Sequence, residues 1–143
     1  MALSVYLNFD SNCRQAVAFY AEVFDTQVRP IMTFGQMPGD GGVDIPGELK
    51  DLVLHTDLDI MGTMVMCSDV LPGLGPPLTV GNQVSLVVGS RDREQLQHLY
   101  DRLSEGGTVE MPLQETFFSR AYGALTDRFG VSWMLVMDDE DTD

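Results

Sequence analysis

The outline of residues 5–24 returns 79 residues further along the chain. Val5-Tyr6-Leu7 falls on Val84-Ser85-Leu86, and each run then meets a polar stretch suited to cap a helix, "DSN" at 10–12 and "GSRD" at 89–92. A helical pattern follows in both places. Cys13, Ala16, Val17, Tyr20, Val23 and Phe24 recur at helical spacing in the first, as do Leu96, Leu99, Tyr100 and Leu103 in the second. A short strand comes next, "TQVRPIMTF" (26–34) or "GTVEMPL" (107–113). The later parts repeat at an offset of 68: Asp59-Ile60-Met61-Gly62 matches Asp127-Arg128-Phe129-Gly130. Asp at i with Gly at i+3 is a type I turn signature, and apolar runs on both sides of each turn predict hairpins. Two independent features that repeat in the same order point to duplication.

The expected fold class is therefore α+β, with two βαβββ modules. Module one covers about 1–70, "LPGLGPPLTVGN" (71–82) is a Pro- and Gly-rich linker, and module two covers 83–137. All of 1–137 is expected to form one domain, since 143 residues are enough to bury a real core. The stretch "GQMPGDGGVDIPGE" (35–48) reads as a long loop, of the kind that covers sites in small domains.

Alternation then sorts the strands. Val5, Leu7 and Phe9 oppose Ser4, Tyr6 and Asn8, while Val84, Leu86 and Val88 oppose Gln83, Ser85 and Val87. The all-apolar side is where a helix packs, and it continues with Val65, Cys67, Val131, Trp133 and Leu135. The other side carries His55, Met64, Met66, Ser68, Ser132 and Met134. Its hydroxyls and amides need hydrogen bonds if buried, so it faces water, a ligand or a partner. Polar groups scattered over an apolar curved wall describe a small-molecule cavity. A solvent-exposed or dimer-facing sheet is the plainer alternative.

Charge narrows the partners. The chain has 22 acidic residues against 8 basic ones, a formal charge of -14. Such a surface repels phosphate backbones, so no nucleic-acid partner is expected. The tail "DDEDTD" (138–143) has no apolar anchor and is expected to be disordered. Two cysteines without framework spacing fit a reducing, cytoplasmic setting. No run approaches the 18 apolar residues of a membrane span, so no membrane partner is expected either.

The order of these parts resembles the vicinal oxygen chelate superfamily of glyoxalase I, bleomycin-resistance proteins and extradiol dioxygenases, and within it the PhnB-like branch. The resembling stretches are "YLNFDSNCRQAVAFYAEVF" (6–24), "LHTDLDIMGTMVMCSD" (54–69), "GNQVSLVV" (81–88) and "EGGTVEMPLQETFFSRAYGALTDRFGVSWM" (105–134), which together cover most of the chain. The resemblance implies two modules curling into a half-open, curved-sheet barrel around a central cavity, usually in a homodimer. In metal-dependent members, His, Gln and Glu side chains on four strands bind a divalent ion. Carried over, those places fall on Ser4 (Val5 if the register slips by one), Met66, Gln83 and Met134. Only Gln83 is a plausible ligand, whereas Zn, Ni, Fe or Mn sites need several imidazole, carboxylate or thiolate groups. No metal and no cofactor are expected. PhnB-like sequences are often labelled 3-demethylubiquinone methyltransferases, sometimes with "DNA-binding" attached. The chain shows no Gly-rich turn of a nucleotide-binding unit to support the first label, and its charge argues against the second.

Residue by residue, the expected cavity groups are Tyr6, Asn8, His55, Met66, Gln83, Ser85, Glu115, Phe118, Arg120, Tyr122 and Met134. His55 is either a structural histidine or a general base near neutral pH. In "QETFFSRAY" (114–122), Arg120 can pair with an anionic ligand or with Glu115, and Phe117 and Phe118 can stack on a ligand or pack an interface. His98 is expected to be solvated; Cys13, Cys67 and Trp133 are expected in the core. The expected function is binding of a small, partly apolar molecule, with catalysis open. A non-catalytic dimeric scaffold with a plugged cavity is one alternative. A metal-dependent lyase, isomerase or dioxygenase using His55, Gln83 and Glu115 is another.

Overall fold

Each apolar-sided strand finds its helix, and each helix its sheet. The computed structural model describes residues 2–36 and 45–138. They form two compact units, Met1–Thr79 and Val80–Asp143. The first contains β1 (Val5–Phe9), α1 (Cys13–Val23), β2 (Met32–Thr33), β3 (Val53–Ile60) and β4 (Thr63–Asp69). The second contains β5 (Leu86–Ser90), α2 (Arg93–Ser104), β6 (Thr108–Gln114), β7 (Tyr122–Thr126) and β8 (Ser132–Met137). The sheet orders are β1-β4-β3-β2 and β5-β8-β7-β6, the same path in both, and neither sheet closes on itself. The outer pairs β1–β4 and β5–β8 are parallel and the rest antiparallel. The α+β reading with two βαβββ units therefore holds. Most of the loop 35–48 and the tail beyond 138 lie outside the described residues. No helix among the described residues is long and apolar enough to cross a membrane.

The core of the first unit joins the α1 stripe of Cys13, Ala16, Val17, Tyr20 and Val23 to Phe9, Leu58, Val65 and Cys67. In the second, Leu96, Leu99, Tyr100 and Leu103 meet Val88, Leu125, Trp133 and Leu135. Each fully buried aliphatic or aromatic chain contributes about 1.5–3 kcal/mol relative to exposure. Close packing shows at Gly123, where a methyl group would lie 2.8 Å from Tyr100 Cε2 and 3.0 Å from Leu113 Cα.

Pairing corrects the offset between the first strands. Val5 pairs with Val65 and Leu86 with Trp133, and Val65 and Trp133 are 68 apart. Val5 thus corresponds to Leu86, 81 positions on rather than 79. A slip of two keeps every side chain on its face, because strand period is two. It does move the strand start: Val84, expected on the helix side, is 74% exposed ahead of β5.

The two hairpin turns also differ. Ile60 pairs with Thr63, leaving Met61 (φ 54) and Gly62 (φ 89) as a two-residue loop. Positive φ at both is the type I′ pattern, whose twist matches the strands, not the type I turn that the Asp-Gly spacing predicts. The second turn is type I in its bonding, with Gly130 N donating to Asp127 O at 3.0 Å. Asp127 Oδ1 accepts from Phe129 N and Val131 N, and Oδ2 from Trp133 Nε1 at 2.9 Å.

Helix starts diverge as well. Asp92 caps α2, accepting from Glu94 N at 3.0 Å and Gln95 N at 3.2 Å. At α1 the "DSN" stretch supplies no side-chain cap. Asp69, at the end of β4, accepts from Cys13 N through Oδ1 and from Val53 N through Oδ2, both at 2.9 Å. The strand expected over 26–34 shrinks to Met32–Thr33 plus a single bridge, Val28 to Leu58. Pro30 lacks the N–H that a continuous ladder needs there.

Candidate functional site

The open face of the first sheet gathers the polar groups. Across β1, β4 and β3, Tyr6 lies beside Met66, and Met66 beside Asp57. One row along, Asn8 lies beside Ser68, and the Tyr6 hydroxyl donates to Ser68 Oγ at 3.0 Å. The His55 ring centroid is 6.1 Å from that of Tyr6, tilted by 42°. His55 Nε2 is 3.9 Å from Asp57 Oδ2, and Asp57 Oδ1 is 3.6 Å from Arg29 Nε. The Asp57 side chain is 21% exposed, His55 43% and Arg29 63%, so the two basic groups reach solvent over a half-sheltered carboxylate. Burial places Ser68 at 7% exposure and Tyr6 at 46%.

Alternation brought Tyr6, Asn8, His55 and Met66 to this face, and the structure places them together on it. The structure adds Asp57 and Arg29 to this group. Asp57 shares strand parity with His55, so the same alternation points to it. Arg29 has no periodic signal. Its position rests on two main-chain bonds, Arg29 N to Asp57 O at 3.0 Å and Thr56 Oγ1 to Arg29 O at 3.0 Å.

The second sheet carries the other residues in a more self-contained way. Met134 is flanked by Val87 and Ala124, and its sulfur accepts the Tyr122 hydroxyl at 3.4 Å. Phe118 packs edge-on to Tyr122 at 5.0 Å and to Phe117 at 5.1 Å. Glu115 and Arg120 line a shallow recess of about 280 Å³ in the loop between β6 and β7, with Phe118. That loop is braced locally: Thr116 N donates to Ser119 O at 2.8 Å, and Ser119 Oγ donates to Ala121 O at 2.8 Å. Gln83 and Ser85 precede β5, Gln83 exposed and Ser85 half-buried.

The four positions that would hold a divalent ion do not suit one. Ser4 is exposed ahead of β1, Gln83 is exposed ahead of β5, and Met66 and Met134 are half-buried thioethers. Thioethers are soft, weak donors for Zn, Ni, Fe or Mn. Among the described residues no group of three or more His, Cys, Asp and Glu side chains is placed to hold a metal.

The thiols belong to the core. Cys13 and Cys67 are free and buried, and their mutual hydrogen bond, then burial, pushes the Cys13 thiol far above the usual thiol range. Neither is poised as a nucleophile.

Known proteins share this architecture. YjdN of Escherichia coli (strain K12) is 33% identical over 141 residues, spanning 94% of each chain. The crystal structure of PA1353 from Pseudomonas aeruginosa superposes with a TM-score of 0.83 at 30% identity, covering 96% of this chain and 98% of that one. The PhnB protein from Bacillus cereus does so with a TM-score of 0.78 at 26% identity, covering 96% and 100%. The family model described as 3-demethylubiquinone-9 3-methyltransferase matches residues 2–136. A family model that spans nearly the whole chain and a relative 33% identical over 94% of both chains show that this chain belongs to that family, to which the similar PhnB protein is also assigned by name.

Proposed function

We propose that this protein binds a small, partly apolar molecule on the open face of its first sheet, without the divalent ion of its metal-dependent superfamily relatives. The observation that carries this reading is the linked group of Tyr6, Ser68, His55, Asp57 and Arg29 on the sheet face that also carries Met66. Few polar groups over an apolar wall is the usual make-up of a small-molecule site. The imidazole and guanidinium are too exposed to be explained as core packing. Methyl transfer is not part of the reading. The turns from β1 into α1 and from β5 into α2 read "DSN" and "SRD", with no Gly-rich phosphate cradle.

Thermal-shift screening against metabolites and planar aromatic antibiotics tests the reading, with NMR of methionine methyl groups to locate a hit. A ligand should move the Met66 methyl signal and lose affinity in Tyr6→Ala. A ligand that binds equally well to Tyr6→Ala and leaves Met66 undisturbed defeats the placement. The proposal includes a homodimer, checked by light scattering of the purified chain.

A scaffold role has one observation in its favour. On the second sheet Tyr122 donates its hydroxyl to Met134 and meets Phe118 edge-on, so those groups occupy one another. In that case the thermal-shift panel yields nothing, and Tyr122→Phe lowers stability without changing any ligand response.

A further inference from the structure

The geometry points to a small organic anion, a carboxylate or sulfonate on an aromatic or aliphatic body, as the ligand of Arg29 and His55. This rests on the ligand-binding reading above and names the class of ligand. Two main-chain bonds seat Arg29 beside β3, to Asp57 O and from Thr56 Oγ1, both at 3.0 Å. Its side chain then runs along Asp57, with Nε 3.6 Å from Oδ1. That is beyond hydrogen-bond length. Oδ1 is sealed from solvent and accepts no hydrogen bond among the described residues. The other carboxylate oxygen lies 3.9 Å from His55 Nε2. Asp57 therefore stands between two basic groups and saturates neither.

The consequence for Arg29 is directional. Asp57 occupies the Nε side, so the two Nη groups form the edge left for a partner. Among the described residues that guanidinium donates no hydrogen bond, and it is 63% exposed. A planar fork presented in this way matches a carboxylate or sulfonate through two parallel N–H···O bonds. His55 adds a donor beside the Tyr6 ring, and Tyr6 and Met66 offer apolar surface to the body of the ligand.

Net charge makes this placement selective. At -14 the chain's net charge opposes anions. Asp57 and the exposed Asp59 are the acids on this face of β3, and Asp59 is engaged by Gly62 N at 2.8 Å. At ~0.1 M salt the Debye length is about 10 Å, which screens the more distant acids and leaves contact pairs in control.

Calorimetry on the full chain decides, with phenylacetate and its neutral near-isostere phenylacetamide as probes. Phenylacetate should bind, and Arg29→Gln should weaken it at least tenfold while Arg29→Lys recovers part of the loss, as expected for charge-assisted bonds. Phenylacetamide keeps an acceptor oxygen but no charge, so it should bind more weakly than phenylacetate and lose less than phenylacetate does in Arg29→Gln. Circular dichroism of each variant confirms folding, which an exposed side chain does not govern. Equal binding of both probes, insensitive to Arg29→Gln, overturns the anion assignment and leaves the ligand-binding reading standing. Phenylacetate binding that Arg120→Gln removes and Arg29→Gln does not also overturns it. Binding of neither probe counts against the anion class, while ligands found in the wider panel would still uphold the broader reading.

Discussion

Removing the Asp69 carboxylate is the sharpest test of how the first unit is tied together. Asp69 is 4% exposed, and its two oxygens accept from the first N–H of α1 and the first N–H of β3, each at 2.9 Å. In Asp69→Ala both donors are left buried without an acceptor, and an unmet buried group costs about 1–3 kcal/mol. Loss of a negative charge at a helix N-terminus adds about 0.3–1 kcal/mol. Partial relaxation and water entry reduce the sum, so the expected loss is about 3 kcal/mol. Asp92→Ala is the internal control. It removes an exposed local cap that water replaces, and should cost about 1 kcal/mol. For a chain of this size 1 kcal/mol moves Tm by roughly 2–4 °C, so the two variants should separate by several degrees. Urea unfolding followed by circular dichroism and by Trp133 fluorescence measures both. If Asp69→Ala costs no more than Asp92→Ala, the long-range carboxylate does not anchor α1, and the account of how the first helix starts is wrong.

Three further outcomes follow from local geometry. Met61 holds φ 54 at 48% exposure, so Met61→Asn creates the Asn-Gly pair favoured in a type I′ turn and should raise stability by about 1 kcal/mol in the same urea assay. Gly123→Ala should cost about 1–3 kcal/mol, because the new methyl meets Tyr100 Cε2 at 2.8 Å and the Leu113 main chain at 3.0 Å. The raised Cys13 thiol keeps its proton in the folded chain, so its contribution is intact below about pH 8.5. It is lost as pH rises further, because only the unfolded chain then releases that proton, at up to about 1.4 kcal/mol per pH unit. Urea midpoints from pH 7 to 10 should fall less steeply in Cys13→Ala than in the parent.

What the sequence reveals of the fold is what period and punctuation encode. The strand faces came out correctly because alternation is a local property, and even a two-residue error in aligning Val5 preserves it. Val84 is apolar yet stands outside β5, where no partner strand makes its side chain count, so apolar matching alone misplaces the strand start. The missing cap of α1 is illegible for a different reason. The acceptor is 56 residues away, and only the parallel pairing of β1 with β4 brings it to Cys13. Likewise, Asp59 and Gly62 carry a type I spacing, but the pairing of Ile60 with Thr63 shortens the loop and selects the primed turn.

The candidate site divides along the same line, and the division bears on chemistry. Tyr6, His55 and Met66 are on the face because strand parity puts them there. Arg29 is on it because an irregular segment, cut short by Pro30, is bonded through its main chain to Thr56 and Asp57. Met66 sits between Tyr6 and Asp57 in the pairing of the first sheet, and its thioether, a soft and weak donor, cannot organise hard ligands around an ion. The polar groups beside it are then free of the geometry a metal would impose. Tyr6 turns to Ser68, and Asp57 stands between His55 and Arg29. In the proposed site, selectivity therefore rests on hydrogen-bond direction and charge, with the Met66 side chain supplying apolar contact.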